Sequence, residues 1–277
     1  MPGAIRTIQR GGSRFYVDPT TAAKYPGVTS VVGMLPKPFL VHWAARMAAE
    51  AAVGNLPAVA AIAERDEAGA IDYVRNAHMR YTKSRANLGS AAHDLFERMI
   101  RGEIIGRVHP DLEPYRTAFA EFLDAVRPEL VRAEDVAWSD EHEYAGSFDA
   151  ILRVRLGADG KPDHDNGTWH LLIVDWKTSK SAYADVALQM SAYANADRLI
   201  SPDGESEPMP EFDGAAVLHI TPDGWVFKPV RIDAEVFGIF LTLRDVFRWD
   251  RELSKTVFGK PIAQSVRRLI TGTQRRK

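Results

Sequence analysis

Leu171-Leu172-Ile173-Val174-Asp175-Trp176-Lys177-Thr178 closes an apolar run with an acid and a base two residues apart. In an extended segment side chains alternate in direction, so Asp175 and Lys177 share one face and Trp176 points to the other. One face then offers a carboxylate able to ligate a hard cation beside an ammonium. Such a pair suits phosphodiester hydrolysis, where oxygen ligands hold the ion and a positive charge meets developing negative charge. By itself Asp-x-Lys also describes an ordinary exposed strand end that pairs with itself. A second acid distinguishes this case: Asp149 lies in Gly146-Ser147-Phe148-Asp149-Ala150-Ile151-Leu152, a segment with its own strand alternation. A polar, glycine-bearing stretch from Gly157 to Gly167 separates the two segments. They are expected to form an antiparallel hairpin that brings both carboxylates together.

Outward from this hairpin, the pattern toward the N-terminus changes from helical spacing to strand alternation at about residue 131, with Val131 to Trp138 read as a strand. Helices are expected near 57–65, 66–82, 87–101 and 111–126, after an alanine-rich helical stretch that opens at Phe39 behind the breakers Pro36 and Pro38. Residues 12–32 read as short strands and turns ending in Val28-Thr29-Ser30-Val31-Val32. On the C-terminal side a helix is expected from about Tyr183 to Leu199 and a loop from Ser201 to Asp213. The strands Ala215 to Ile220 and Trp225 to Val230 follow, joined by the turn sequence Thr221-Pro222-Asp223-Gly224. An amphipathic helix around 234–254 closes the domain. This order predicts a mixed sheet flanked by helices.

A chain of 277 residues with 45% hydrophobic and 26% charged content is that of an ordinary globular protein large enough for a full core. It holds no cysteine, which excludes disulfides, cysteine-ligated zinc, iron–sulfur clusters and thiol nucleophiles. The start Met1-Pro2-Gly3-Ala4-Ile5-Arg6 lacks a signal-peptide pattern, and no run approaches the roughly 20 apolar residues of a membrane span, so a cytoplasmic protein is expected. With a net charge of -2, nucleic-acid contact must rely on local patches. One patch is Arg80-Tyr81-Thr82-Lys83-Ser84-Arg85, expected just before a helix. Another is the tail with Arg267, Arg268, Arg275, Arg276 and Lys277, read as a solubilising end.

Within the expected helix at 87–101, Leu88, Ala92, Leu95, Phe96 and Met99 form the buried stripe, and His93 sits at its edge with Glu97 one turn later. Gly89 and the small residues after it would admit close approach of backbone or substrate. On the helix after the hairpin, Gln189 and Tyr193 are four residues apart and share a face. They read either as a polar rim of the core or as groups facing Asp175 and Lys177. Asp163-His164-Asp165-Asn166-Gly167 does not fit calcium-loop spacing and reads as a solvated hairpin loop. Neither a G-x-S-x-G elbow nor a G-x-G-x-x-G fingerprint occurs.

The order His93, Glu134, Asp149, Asp175-x-Lys177 and Gln189-x-x-x-Tyr193 resembles the PD-(D/E)XK nuclease superfamily, and within it the RecB-like, phage-type exonuclease branch. Gly-Ser-Phe-Asp at 146–149 looks like that family's G-x-x-D strand, Val-Asp-Trp-Lys-Thr at 174–178 its D-x-K strand, Leu-Gln-Met-Ser-Ala-Tyr-Ala at 188–194 its Q-x-x-x-Y helix, and Gly-Ser-Ala-Ala-His at 89–93 its first motif. The resemblance extends over roughly residues 25–250. It implies a restriction-endonuclease-like α/β core (mixed α+β) over 85–255, with N-terminal strands and a helical extension over 1–84 and a basic tail over 256–277. It further implies that His93, Asp149, Asp175 and the carbonyl of Trp176 bind one or two Mg²⁺ or Mn²⁺ ions. Lys177 would then act on the attacking water and the scissile phosphate, with Gln189 and Tyr193 beside it. Glu134 would bind metal indirectly or support a ligand, with Glu141 and Glu143 as competitors for that role. Arg80, Lys83, Arg85 and Lys180 are the expected phosphate contacts.

The implied activity is that of a metal-dependent DNA exonuclease acting at double-stranded ends or on single strands, in bacterial or phage recombination and repair, in a bacterial or phage-infected cytoplasm. An endonuclease of the same superfamily and a catalytically quiet DNA-binding recombination partner are the alternatives. Some members of the family form rings around DNA, so a homo-oligomer, and a recombinase or single-strand-binding partner, remain open. The chain departs from iron–sulfur members in lacking cysteine, and it has no G-x-x-x-x-G-K-[ST] motor motif.

Overall fold

The computed structural model describes residues 5–263. Its centre is a five-stranded mixed sheet in the order β12-β11-β8-β7-β4, built from β4 (Glu129–Ala133), β7 (Ala150–Leu156), β8 (Thr168–Lys177), β11 (Gly214–Thr221) and β12 (Gly224–Val230). β8 and β11 run parallel, and the other neighbours are antiparallel. The expected hairpin is β7–β8, with Ala150 opposite Val174. Along β8 the residues from Ile173 to Trp176 are all buried, as expected for a strand covered on both faces.

Alternation sorts the side chains into two layers. Ile151, Ile173, Ala215 and Val217 pack against α1 (Val28–Val32), α7 (Val186–Ala194) and α8 (Ala234–Arg251). Leu152, Val154, Val174, Trp176 and Leu218 pack against α5 (Ala77–Ile100) and α6 (Glu113–Val126), where Trp176 meets Phe119 edge-on at 5.5 Å. Trp176 thus lies on the face opposite Asp175 and Lys177, as the alternation requires.

A second sheet, in the order β10-β9-β5-β6, combines β5 (Val136–Ser139), β6 (Tyr144–Ser147), β9 (Arg198–Ile200) and β10 (Ser206–Pro208). A third holds β1 (Arg6–Arg10), β2 (Ser13–Val17) and β3 (Lys24–Pro26). The helices α2 (Phe39–Gly54), α3 (Leu56–Ala63) and α4 (Glu67–Arg75) form a cap that packs on α5; α2 and α3 contain no buried residue.

Several boundaries differ from the sequence reading, each for a tertiary reason. Val28–Val32 is helical although valine favours strands, because Val28, Val31 and Val32 sit at helical spacing and are buried against the core. The expected strands 131–138 and 146–152 are each divided between two sheets. The chain bends at Glu134, whose φ is +61°, and at Phe148-Asp149. Two hydrogen bonds tie these bends together: Glu134 N–H to the Asp149 carbonyl and Phe148 N–H to the Asp135 carbonyl, both 3.2 Å. The helix after the hairpin ends at Ala194 rather than near Leu199, since Arg198–Ile200 pairs as a strand between β5 and β10. The expected 201–213 loop contains the short strand β10. The break expected between residues 82 and 87 lies at Asn76, so Arg80, Lys83 and Arg85 are inside α5 rather than ahead of it. The basic tail residues Arg267 to Lys277 lie outside the described residues.

Candidate active site

β8 outruns β7 at the open end of the sheet, and the site gathers there. Asp149 precedes the first residue of β7, beyond the Ala150–Val174 pair, and therefore lies opposite Asp175. Its Oδ2 accepts a 2.5 Å hydrogen bond from the Trp176 amide, and its Oδ1 lies 3.1 Å from His93 Nδ1. N–H and C=O of one strand residue point toward the same neighbour, so the Trp176 carbonyl is directed to the side on which Asp149 sits. α5 delivers His93 by passing close to the end of β8. A Cβ on Gly89 would stand 3.3 Å from Thr178 Oγ1, which accounts for a glycine inside a helix where alanine is otherwise favoured.

From the other layer α7 supplies Gln189 and Tyr193. Gln189 Nε2 donates to Asp175 Oδ1 at 2.9 Å and to the Tyr193 hydroxyl at 3.1 Å, while Gln189 Oε1 accepts from Lys177 Nζ at 3.4 Å. Lys177 also forms an ion pair with Asp175 Oδ2. That oxygen is buried and receives no regular hydrogen bond. Asp175 is 3% exposed.

The electrostatics are those of a site short of positive charge. Burial, then the charge of Asp149, pushes Asp175 well above the ordinary carboxylate range, with Lys177 and His93 opposing. Burial, with the charges of Asp149 and Glu97, raises Glu134 to about 7 against the pull of His93 and Arg101. Burial would lower His93, but the hydrogen bond and charge of Asp149, together with the charge of Asp175, outweigh it and raise the imidazole. Burial and the charge of Asp175 lift Tyr193 far above the ordinary phenol range, so its hydroxyl stays protonated at neutral pH.

His93, Asp149, Asp175, Trp176, Lys177, Gln189 and Tyr193 are thus joined through direct contacts. Glu134 stands at the bend bonded to Asp149. Its competitors lie elsewhere: Glu141 is exposed in the β5–β6 turn, and Glu143 pairs with Arg244. Lys180 is exposed just past β8, and Arg80, Lys83 and Arg85 are exposed along α5. The residue the sequence reading undervalued is Glu97, one turn from His93 and bridged to Arg101 at 2.8 Å. Its i+4 spacing from His93 was the available signal.

Among the described residues no three His, Asp or Glu side chains converge as a metal-binding group. Asp175 directs one oxygen to Lys177 and the other to Gln189, and Asp149 is engaged by His93 and the Trp176 amide. The donor chemistry nonetheless suits a hard divalent ion. Two adjacent carboxylates and an imidazole are present, and the buried Asp175 Oδ2 is met by the Lys177 ammonium alone, without a regular hydrogen bond. No protein-family model and no curated protein sequence matches this chain. Among the described residues no helix is long and apolar enough to cross a membrane.

Proposed function

We propose that this chain is a Mg²⁺- or Mn²⁺-dependent deoxyribonuclease of the PD-(D/E)XK type, acting as an exonuclease on linear DNA ends in bacterial or phage recombination or repair. The observation that carries the reading is the meeting of Asp149, from the bend before β7, and Asp175, from β8, with Lys177 and His93 at one open sheet end. A chance Asp-x-Lys would not gather a second carboxylate, an imidazole and an amide around itself.

Asp149, Asp175 and His93 would hold the cation, with the Trp176 carbonyl on the same side. A bound divalent ion supplies Lewis acidity toward the phosphate and lowers the pKa of a water. The chain does the rest. Lys177 presents an ammonium to the charge that develops on the phosphate oxygens. Gln189 holds both Lys177 and Asp175, so that acid and base keep one spacing. Tyr193, kept as a neutral phenol, accepts from Gln189 and fixes the orientation of its amide.

Incubation with linear and covalently closed circular DNA, with Mg²⁺, Mn²⁺ or chelator, tests the reading. Metal-dependent loss of linear DNA alone is expected. Cutting of closed circles would make the protein an endonuclease, and binding without cutting would make it a quiet recombination partner. Asp175→Ala should abolish cutting while DNA binding persists; unchanged cutting by that variant would remove the site assignment.

A further inference from the structure

On α5 the stripe facing the core is Leu88, Ala92 and Phe96, and continued toward the N-terminus at helical spacing it passes through Arg85 and Tyr81. The core covers the stripe only from Leu88 onward. At the other end, Trp43 of α2 packs edge-on against His78 and Tyr81, at ring distances of 6.2 and 6.1 Å. Between these two supports every residue from Met79 to Asn87 is exposed. Along this stretch α5 is open to solvent, and the side chains that continue its core-facing stripe are an aromatic ring and a guanidinium.

What this exposed stretch can bind is constrained by charge and by shape. Residues 79–87 contain Arg80, Lys83 and Arg85 and no acid. Among the described residues no carboxylate forms an ion pair with any of the three, whereas Arg46 and Arg75 in the cap are paired with Glu50 and Asp72. Tyr81 is 45% exposed, and the Arg85 guanidinium lies 5.6 Å from its ring centroid. An unopposed cationic stretch attracts a polyanion, and an exposed ring on the same stripe offers a stacking surface. A duplex keeps its bases inside, so it could use the cations but not the ring. Arg85 stands about 12 Å of helix axis before His93, so a ligand lying along the stripe is led to the open sheet end.

We propose that Tyr81 and Arg85 form a platform for an unpaired DNA strand, with a base stacked on the Tyr81 ring and a phosphate held by Arg85. The substrate delivered to Asp149, Asp175 and Lys177 is then a single-stranded end. The destination of the strand rests on the nuclease reading, but the platform itself does not.

Fluorescence anisotropy with a labelled thymidylate dodecamer and a blunt duplex of two separate strands, in chelator so that nothing is cut, separates the two. Tyr81→Leu keeps bulk and helix propensity but removes the ring, and should weaken dodecamer binding about tenfold. Tyr81→Phe keeps the ring and loses only the 3.4 Å hydrogen bond from Arg85 Nε, so it should keep most of the dodecamer affinity, and duplex affinity should be the same in all three proteins. Arg85→Ala should weaken the dodecamer and lower its salt slope by about 0.7, one phosphate contact on a single strand. The platform is overturned if the parent does not bind the dodecamer, if folded Tyr81→Leu binds it unchanged, or if that variant loses duplex affinity equally. Should Tyr81→Leu not fold, Tyr81→Trp takes its place: an equal or higher affinity supports stacking, and a tenfold loss overturns it. A protein that shows the platform yet cuts no DNA would refute the nuclease reading alone.

Discussion

Gly146 and Tyr193 touch so closely that a Cβ on the glycine would lie 2.6 Å from Cε1 of the tyrosine ring. Tyr193 is buried, and its hydroxyl accepts from Gln189, which in turn holds Asp175. The absent side chain on β6 thus sets how near α7 can come to the second sheet. That distance decides whether Gln189 reaches the strand end.

Gly146→Ala should therefore destabilise the fold by about 1–3 kcal/mol through overpacking. Val28, whose Cβ would stand 3.0 Å from the new methyl, is also buried and leaves no room for relief. Chemical denaturation reads the effect as a lower midpoint with an unchanged slope. A midpoint equal to that of the parent would show that α7 is not seated by this contact.

Gln189→Leu tests whether the amide sets the acid–base pair. It preserves the bulk of the side chain while removing the donor to Asp175 and the acceptor from Lys177. Cleavage of linear DNA should fall about 10- to 100-fold, the usual cost of losing a group that orients a ligand. The loss should appear in kcat with KM for DNA little changed. A loss confined to KM would make Gln189 a substrate contact instead.

The raised carboxylates predict a pH dependence of stability in metal-free solution. Glu134 is raised to about 7, so between its ordinary value of 4.5 and about 7 the folded state binds a proton that the unfolded state has released. Unfolding free energy should then fall as pH rises through this window, and be regained on acidification from pH 8 to pH 5. Glu134→Gln should flatten that part of the profile. Denaturation midpoints across the window decide, and an identical slope in both proteins would exclude Glu134 as the source.

Asp18 carries the opposite sign. Burial would raise it, but Arg198, which bonds it at 2.6 Å, and the amides of Thr20 and Thr21, both at 2.7 Å, hold it below the ordinary aspartate value. The stability it contributes is fully present above that ordinary value and is lost as pH falls through the lower folded-state value. Asp18→Ala should cost about 3 kcal/mol at neutral pH, because it strips a buried partner from Arg198. The acid-unfolding transition should become shallower in the variant. A neutral-pH loss below 1 kcal/mol would mean that Asp140 alone satisfies Arg198.

Legibility in the sequence followed the range of the forces involved. The β7–β8 hairpin, the opposed faces of Asp175 and Trp176, the Gln189–Tyr193 pair and the closing strands and helix could all be read because period-2 and period-3.6 patterning is local. Val28–Val32 misled because burial at helical spacing overrode the strand preference of valine. The stretches 131–138 and 146–152 each looked like one strand because nothing local marks a change of sheet.

By itself the sequence determined the layers of the central sheet and the acid–base end of β8, since alternation leaves one choice of face for each side chain. Only the tertiary structure decided that the chain bends together at Glu134 and Asp149, that Gly89 lets α5 bring His93 to the strand end, and that Met79 to Asn87 is left uncovered between two supports. Those features depend on which distant surfaces meet, and the contacts that fix them join residues too far apart in the chain for any periodicity to record.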